Sequence, residues 1–169
     1  MSVLPIRSTA SDRSAADRSA ADRSAVPPQR PAPGGLCMVM ALHAVPGCVP
    51  YARAQLRRAL ALRRPAAAPE ALDDAALVLS ELLTNAVTHG VRGAADAAER
   101  SIGLSVRLDA GRLTLTVRDP GSGLPYPAGD GDPEREDGRG LLIVAALAEA
   151  WGTTRGPGGG TRVWARLAV

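Results

Sequence analysis

Two spacings of apolar residues alternate along the chain and divide it into strands and helices. The run "MVMALHAV" (38–45) predicts a strand. The segment "VPYARAQLRRALALRR" (49–64) has helical spacing, and Pro65 follows it as a stop signal. "PEALDDAALVLSELLTNAVTH" (69–89) predicts a second helix, because Pro69 suits a first helical turn. The apolar stripe of this second helix consists of Leu72, Ala76, Leu79, Leu83 and Ala86.

The second half of the chain predicts mainly strands. "SIGLSVRL" (101–108) and "RLTLTVRD" (112–119) alternate apolar and polar positions around "DAG", which indicates an antiparallel hairpin. "GLLIVAALAEA" (140–150) predicts a third helix, and "WGTTRG" (151–156) and "GTRVWARLAV" (160–169) predict two more strands. This order of elements indicates an α+β fold, a two-layer sandwich with helices on one face of a mixed, mostly antiparallel sheet.

Residues 1–35 differ in composition from the rest of the chain. They contain "SDRSAADRSAADRSA", a five-residue unit repeated three times, and the Pro-rich stretch "VPPQRPAPGG". Because this segment has little apolar surface to bury, we expect a disordered low-complexity tail at 1–35 and a folded domain at 36–169. A start of translation at Met38 or Met40 is an open alternative.

Charge and cysteine content narrow the class of protein. All 20 basic residues are Arg, and of the net charge of +3 the segment 1–35 contributes +2 through five Arg and three Asp. No stretch combines concentrated Arg with aromatic residues, so we expect no direct binding of nucleic acid.

Cys37 and Cys48 are expected to be reduced thiols. No apolar run approaches the roughly 18–20 residues of a membrane span, and no secretory segment precedes the fold, so we expect a cytoplasmic protein without membrane contact.

Three segments carry candidate chemistry. Glu81, Asn85 and His89 are spaced four residues apart in "ELLTNAVTHG", so they share one face of the second helix. "VRDPGSG" ends a strand at Asp119 and lets the backbone approach a ligand at its two glycines. "DGRGLLIV" leads two glycines into a helix, whose N-terminal N–H groups can bind phosphate. Taken singly, these are also consistent with a solvated helix face, a turn and a hinge.

In this order, the three segments resemble the ATP-binding domain shared by gyrase, mismatch-repair ATPases and sensor histidine kinases, the Bergerat or GHKL fold. "SELLTNAVTHG" and "GRGLLIVAALAEAWGTT" are most similar to the anti-sigma factor serine/threonine kinases of actinomycete type. The resemblance covers about residues 36–169 and implies binding of ATP and Mg²⁺. It also implies a sigma factor or a small anti-sigma antagonist protein as partner, and a homodimer as a possible assembly.

The resemblance also implies a role for each matching residue. Glu81 would be the general base, Asn85 the magnesium ligand, and His89 a polar neighbour of the nucleotide. Asp119 would accept the adenine amino group, with Thr161 beside it. The acidic loop 124–137 would be a lid over the nucleotide. Further nucleotide-binding residues, in the adenine pocket and at the phosphates, would be Gly121, Gly123, Gly138, Arg139, Gly140 and Leu141.

Other functions are also consistent with parts of the sequence. The chain could be a nucleotide-dependent binding module without kinase activity, a fragment of a sensor histidine kinase, or an α+β protein that binds no nucleotide. A histidine kinase would need a phosphoacceptor histidine, and His43, the histidine outside the site helix, lies in a predicted strand. A P-loop is excluded, because the chain has no Lys for its G-x-x-x-x-G-K motif.

Overall fold

A computed structural model describes residues 35–91, 100–121, 123, 139–156 and 159–169. The predicted tail, except Gly35, and the predicted lid 124–137 lie outside these residues. The strands are β1 (Leu36–His43), β2 (Ser101–Asp109), β3 (Arg112–Asp119), β4 (Ala150–Arg155) and β5 (Thr161–Ala168). The helices are α1 (Cys48–Arg63), α2 (Pro69–Asn85) and α3 (Arg139–Leu147), and a π-helical turn, Ala86–Gly90, continues α2.

The strands form one sheet in the order β1-β2-β3-β5-β4. All four pairings among the described strands are antiparallel. The β2–β3 hairpin turns through Ala110 and Gly111, which both have positive φ, 46° and 77°. Two left-handed residues are what a type I′ turn needs, and this turn matches the twist of the two strands. The predicted α+β sandwich is therefore confirmed, with a sheet that is antiparallel throughout its described part.

One face of the sheet, here called the inner face, packs against the helices. Even-numbered residues of β1 and β2 and odd-numbered residues of β3 and β5 share this face, because Met40, Leu104, Val117 and Val163 are partners across successive strands. Helix α1 adds an apolar residue every fourth position, namely Cys48, Ala52, Leu56 and Leu60. The buried core thus lies between one sheet face and the helices.

Helix α2 is buried over a wider arc than its predicted stripe. Leu72 of the stripe is half-buried, and the helix also buries four residues outside the stripe, namely Ala75, Val78, Ser80 and Leu82. The wider arc arises because α2 packs against α1 and α3 as well as the sheet. Glu81 and Asn85 consequently lie at the border of the core, where each is half-buried.

Two helix ends differ from the predicted ones. The second helix was expected to run regularly to His89, but its α-helical part ends at Asn85 and a π turn follows. The third helix was expected to reach Ala150, but it ends at Leu147 and Ala150 already begins β4. There the Glu149 N–H donates to the Arg166 carbonyl at 2.8 Å, so pairing with β5 replaces a further helical turn.

No helix in the described part of the chain is long and apolar enough to cross a membrane.

Candidate functional site

Asp119 lies at the end of β3 on the inner face, and only 7% of its surface is exposed. Its Oδ1 accepts the Gly121 N–H at 2.8 Å, which closes a tight turn at "DPG". Within the described residues no donor reaches Oδ2. Burial raises the Asp119 pKa to about 6, and the Gly121 N–H offsets part of that rise. This buried carboxyl therefore retains an oxygen that can accept a hydrogen bond from a ligand.

Glycine backbones surround Asp119 on several sides. A Cβ on Gly90 would collide with the Asp119 carboxylate, and a Cβ on Gly121 would lie 2.8 Å from the Gly90 carbonyl. Gly160 has φ of 77°, and its Cβ would lie 2.6 Å from the Asp119 carbonyl. Each position thus needs a residue without a side chain.

Sequence reasoning assigned Gly121 to the site but missed Gly90 and Gly160. The sequence does carry a weak signal for both. Gly90 closes the quoted helix segment, and Gly160 directly precedes Thr161.

Thr161 lies opposite Asp119 in the β3–β5 ladder and is almost fully buried. Its Oγ1 is 2.8 Å from the carbonyl oxygens of both Gly121 and Gly123. A hydroxyl has one proton, so it donates to one carbonyl at a time. Thr161 therefore ties the glycine loop after Asp119 to the start of β5, and the structure brings these predicted residues together.

Glu81 and Asn85 lie one turn apart on α2, and each is half-buried. Within the described residues neither side chain forms a hydrogen bond or an ion pair. Half-buried polar groups without partners lose hydration that the fold does not replace, which is typical of groups that bind a ligand. Both side chains are therefore available to a ligand that binds on this side of α2.

His89 is positioned differently from the other two. The π turn lies between Asn85 and His89, so the α-helical spacing that aligns the trio holds only for Glu81 and Asn85. His89 is exposed. The expectation that all three share one regular helix face is therefore correct only for the first two. Such π turns occur often at functional sites.

The start of α3 lies against Glu81. A Cβ on Gly140 would lie 2.5 Å from Glu81 Oε2, so the carboxylate and the helix start are in close contact. The partial positive charge of a helix N-terminus favours a carboxylate or a phosphate at this place. Leu141 is buried and anchors the helix, while Arg139 is exposed. Gly138 lies outside the described residues.

The α2 segment joins the two halves of the site. Glu81 contacts the start of α3, and Gly90 contacts Asp119. Nine residues at about 1.5 Å each separate these contacts by roughly 13 Å. The three predicted segments therefore meet along one line, which suits an elongated ligand with one end at Asp119 and the other at α3.

The donor set fits magnesium better than a metal that needs a full protein cage. No three His, Cys, Asp or Glu residues group together in the part of the chain that the structure describes. Mg²⁺ takes oxygen ligands and needs only one or two protein groups, with phosphates and water completing its shell. Asn85 provides an oxygen of this kind.

Solved structures with a similar fold include the following two. The RsbU and RsbW domains of Rv1364c from Mycobacterium tuberculosis match with a TM-score of 0.58 and 25% identity, over 79% of this chain and 32% of that one. This chain thus spans about a third of that protein. The SiaB–SiaC complex from Pseudomonas aeruginosa matches with a TM-score of 0.53 and 14% identity, over 78% of this chain and 89% of that one. The second likeness shows the fold alone. No curated protein matches.

A match to a protein-family model shows which family this chain belongs to. Residues 42–167 match the model of the histidine kinase-like ATPase domain, so the match includes both halves of the site. The resemblance inferred from the sequence motifs is confirmed at this level. An ATPase domain of this kind implies a site for ATP. The matched region contains Glu81, Asn85 and Asp119, the residues described above. The chain belongs to the family of histidine kinase-like ATPase domains.

Proposed function

We propose that this protein is an ATP-binding regulator of anti-sigma type. It would transfer the terminal phosphoryl group of ATP to Ser or Thr of a small antagonist protein, sequester a sigma factor, or do both. It would act in the cytoplasm, either as a monomer or as a homodimer. The observation that carries this proposal is the half-buried pair Glu81 and Asn85, which are unpaired within the described residues, with Glu81 set against the start of α3.

The adenine end of the site would be at Asp119. Its Oδ2 can accept a hydrogen bond from an exocyclic amino group, while Gly90, Gly121 and Gly160 let the backbone lie close to Asp119 without a steric clash. Thr161 would hold the glycine loop in the conformation that forms this pocket. A ring that lacks an amino group would leave Asp119 Oδ2 buried without a donor, so the site favours a ring with an exocyclic amino group, such as adenine.

The phosphate end would be at α3 and Asn85. The first N–H groups of α3 and the Arg139 guanidinium would meet phosphate oxygens, and Asn85 would provide a carbonyl oxygen to Mg²⁺. When bound, the magnesium ion offsets phosphate charge. Glu81 would accept the proton of the attacking hydroxyl, and its contact with Gly140 places it next to the phosphate-binding helix start.

A binding module without kinase activity is the alternative, and two substitutions separate it from a kinase. Asn85→Ala should remove the magnesium-dependent part of ATP affinity, because a metal ligand is lost. Glu81→Gln should leave ATP bound but slow transfer by about 10²–10⁴, the typical contribution of a positioned base. Thr84→Ala, an exposed neighbour on α2, is the matched control for both.

The measurements are ATP titrations with and without magnesium, and transfer of labelled phosphate to a candidate antagonist encoded beside this protein. If Glu81→Gln transferred phosphate as fast as the Thr84→Ala control, Glu81 would be ruled out as the base. Transfer by no form of the protein, with ATP still bound, would leave the binding module as the function. Equal ATP affinity with and without magnesium would remove Asn85 from the metal site.

A further inference from the structure

Strand β1 forms one edge of the sheet and lacks the features that protect an exposed edge. Among the described strands it pairs only with β2. Its eight residues, LCMVMALH, include no Asp, Glu, Lys, Arg or Pro. The opposite edge strand, β4, has six residues and carries Gly152 and Arg155. Because charge, proline and shortness keep an edge from pairing with another chain, β1 is the edge that can accept a further strand.

Burial of the apolar side chains falls sharply from β2 to β1. The inner-face residues of β2 are all buried, namely Ile102, Leu104, Val106 and Leu108. On β1, the ladder partners Met38 and Met40 are only half-buried. Val39, on the sheet face that points away from the helices, here called the outer face, is 74% exposed. An element that continued the sheet beyond β1 would cover these three side chains and remove apolar surface from water.

Helix α1 continues this apolar surface in the helical layer. One stripe along the helix, with spacings of four, three and four residues, consists of Tyr51, Gln55, Arg58 and Leu62. Tyr51 and Leu62 are 55% and 74% exposed. Arg57, whose guanidinium pairs with Asp73 of α2 at 2.6 Å, is rotated by about 100° or more from each residue of the stripe. The stripe thus lies on the side of α1 that faces away from α2.

The stripe also lies above the unpaired side of β1. Helix α2 contacts β3 and β5, so it lies over the boundary between these two strands. Packed helices are about 8–10 Å apart, which equals two spacings of about 4.8 Å between strands. Helix α1, which contacts α2 and β1, therefore lies over the boundary between β1 and β2. A second copy joined through its own β1 would place its own α1 at the same spacing again.

We propose that β1 and the α1 stripe form an interface with a second copy of this chain. The two β1 strands would pair antiparallel about a two-fold axis, so the five strands of each copy would continue into one sheet. Each α1 would then pack on the other. In one register Tyr51 lies opposite Leu62 of the second copy. The same register sets Gln55 opposite Arg58 of the second copy, so the two Arg58 guanidinium groups do not face each other.

A second copy suits this surface better than the chain before β1 does. Residues 26–34 contain four prolines, which cannot donate a backbone hydrogen bond to a sheet edge. The repeat in 11–25 consists of Ser, Asp, Arg and Ala, and Asp and Ala are depleted in strands. A second β1, by contrast, supplies an uncharged edge of equal length. The interface contains no residue assigned to ATP, so the proposal does not rest on nucleotide binding, and it specifies the assembly that the proposed function leaves open.

The test is sedimentation of the full chain over concentrations from nanomolar to high micromolar. One strand and one helix stripe form an interface at the small end of the range for stable dimers, so we expect a dissociation constant on the order of micromolar. Val39→Lys and Leu62→Lys should each raise this constant about tenfold or more, because an ammonium group would be buried in the interface. Leu77→Lys puts the same group at an exposed position of α2 and should leave the constant unchanged.

Amide hydrogen exchange provides a second measurement that needs no substitution. The N–H groups on the unpaired side of β1 should become protected as the concentration rises through the dissociation constant. Protection that is already complete in the monomer would show that another segment of this chain covers the edge, and the proposal would be wrong. A wild type that stays monomeric, or variants of Val39 and Leu62 that dimerise as well as Leu77→Lys, would also overturn it.

ADP affinity, measured in the same samples, separates this proposal from the proposed function. Val39→Lys should bind ADP as tightly as the wild type, because β1 contains no residue of the nucleotide site. Absence of ADP binding in a dimeric wild type would contradict the proposed function alone. ADP binding by a wild type that stays monomeric would contradict only this interface.

Discussion

Replacing Asp119 by Asn should separate its effect on stability from its effect on binding. The wild-type carboxyl is 7% exposed and has a pKa of about 6, against an ordinary value of 3.8. Between these values the folded state binds more protons than the unfolded state, so stability falls as the pH rises through this window. A rise of about two units corresponds to roughly 3 kcal/mol of stability that the ionised group removes near neutral pH.

Asn keeps the oxygen that accepts the Gly121 N–H but cannot ionise. The stability advantage of Asp119→Asn over the wild type should therefore grow by about 2 kcal/mol from about pH 4 to about pH 7. In the same variant ADP affinity should fall roughly tenfold to a hundredfold, because the charged acceptor is lost. Urea unfolding across this pH range and calorimetry with ADP measure the two effects.

Asp109→Asn provides the matched control for binding, because it makes the same chemical change at the end of β2 and should leave ADP affinity unchanged. A stability difference between wild type and Asp119→Asn that does not vary with pH would refute the burial argument. Unchanged ADP affinity would instead remove Asp119 from the nucleotide site.

Two further substitutions test the walls of the Asp119 pocket. Gly90→Ala places a methyl group into the Asp119 carboxylate and should destabilise the fold by about 1–3 kcal/mol and weaken ADP binding, whereas Gly47→Ala, with open space around it, should do neither. Equal melting temperatures of the two alanine variants would show that the pocket adapts. Thr161→Val should cost about 1 kcal/mol and reduce ADP affinity, because the glycine loop loses its anchor. Thr116→Val on the outer face is the control, and ADP titrations that cannot distinguish the two valine variants would contradict the anchoring role.

Much of the fold could be predicted because the signals are local. Strand β3 matches its predicted range, and α1 differs by one residue at each end. The third helix was predicted too long because "AEA" favours a helix in isolation, while the Arg166 carbonyl that draws Glu149 into strand pairing is distant in sequence. Pattern alone cannot weigh such a contact against helix propensity.

The site was predictable where it depends on residue type and unpredictable where it depends on contact. Glu81, Asn85 and Asp119 stand out as polar groups in apolar surroundings. The need for glycine at position 90 arises from the Asp119 side chain, 29 residues further along the chain, which no local pattern reveals. The π turn that ends at Gly90 is likewise not visible in the local pattern, which continues the helical spacing to His89.

The position of β5 in the sheet has a consequence for folding. β5 lies between β3 and β4, and among the described strands β4 pairs only with β5. β4 and β5 pair as a local hairpin, whereas pairing β5 with β3 closes the longer loop between Asp119 and Thr161, so the entropic cost of that closure must be met before the hairpin joins the rest of the sheet. We expect this pairing to order the glycine loop and Thr161 in one step. A nucleotide that needs all of these should bind no earlier intermediate, and should lengthen the lifetime of the native state by slowing unfolding rather than by accelerating folding.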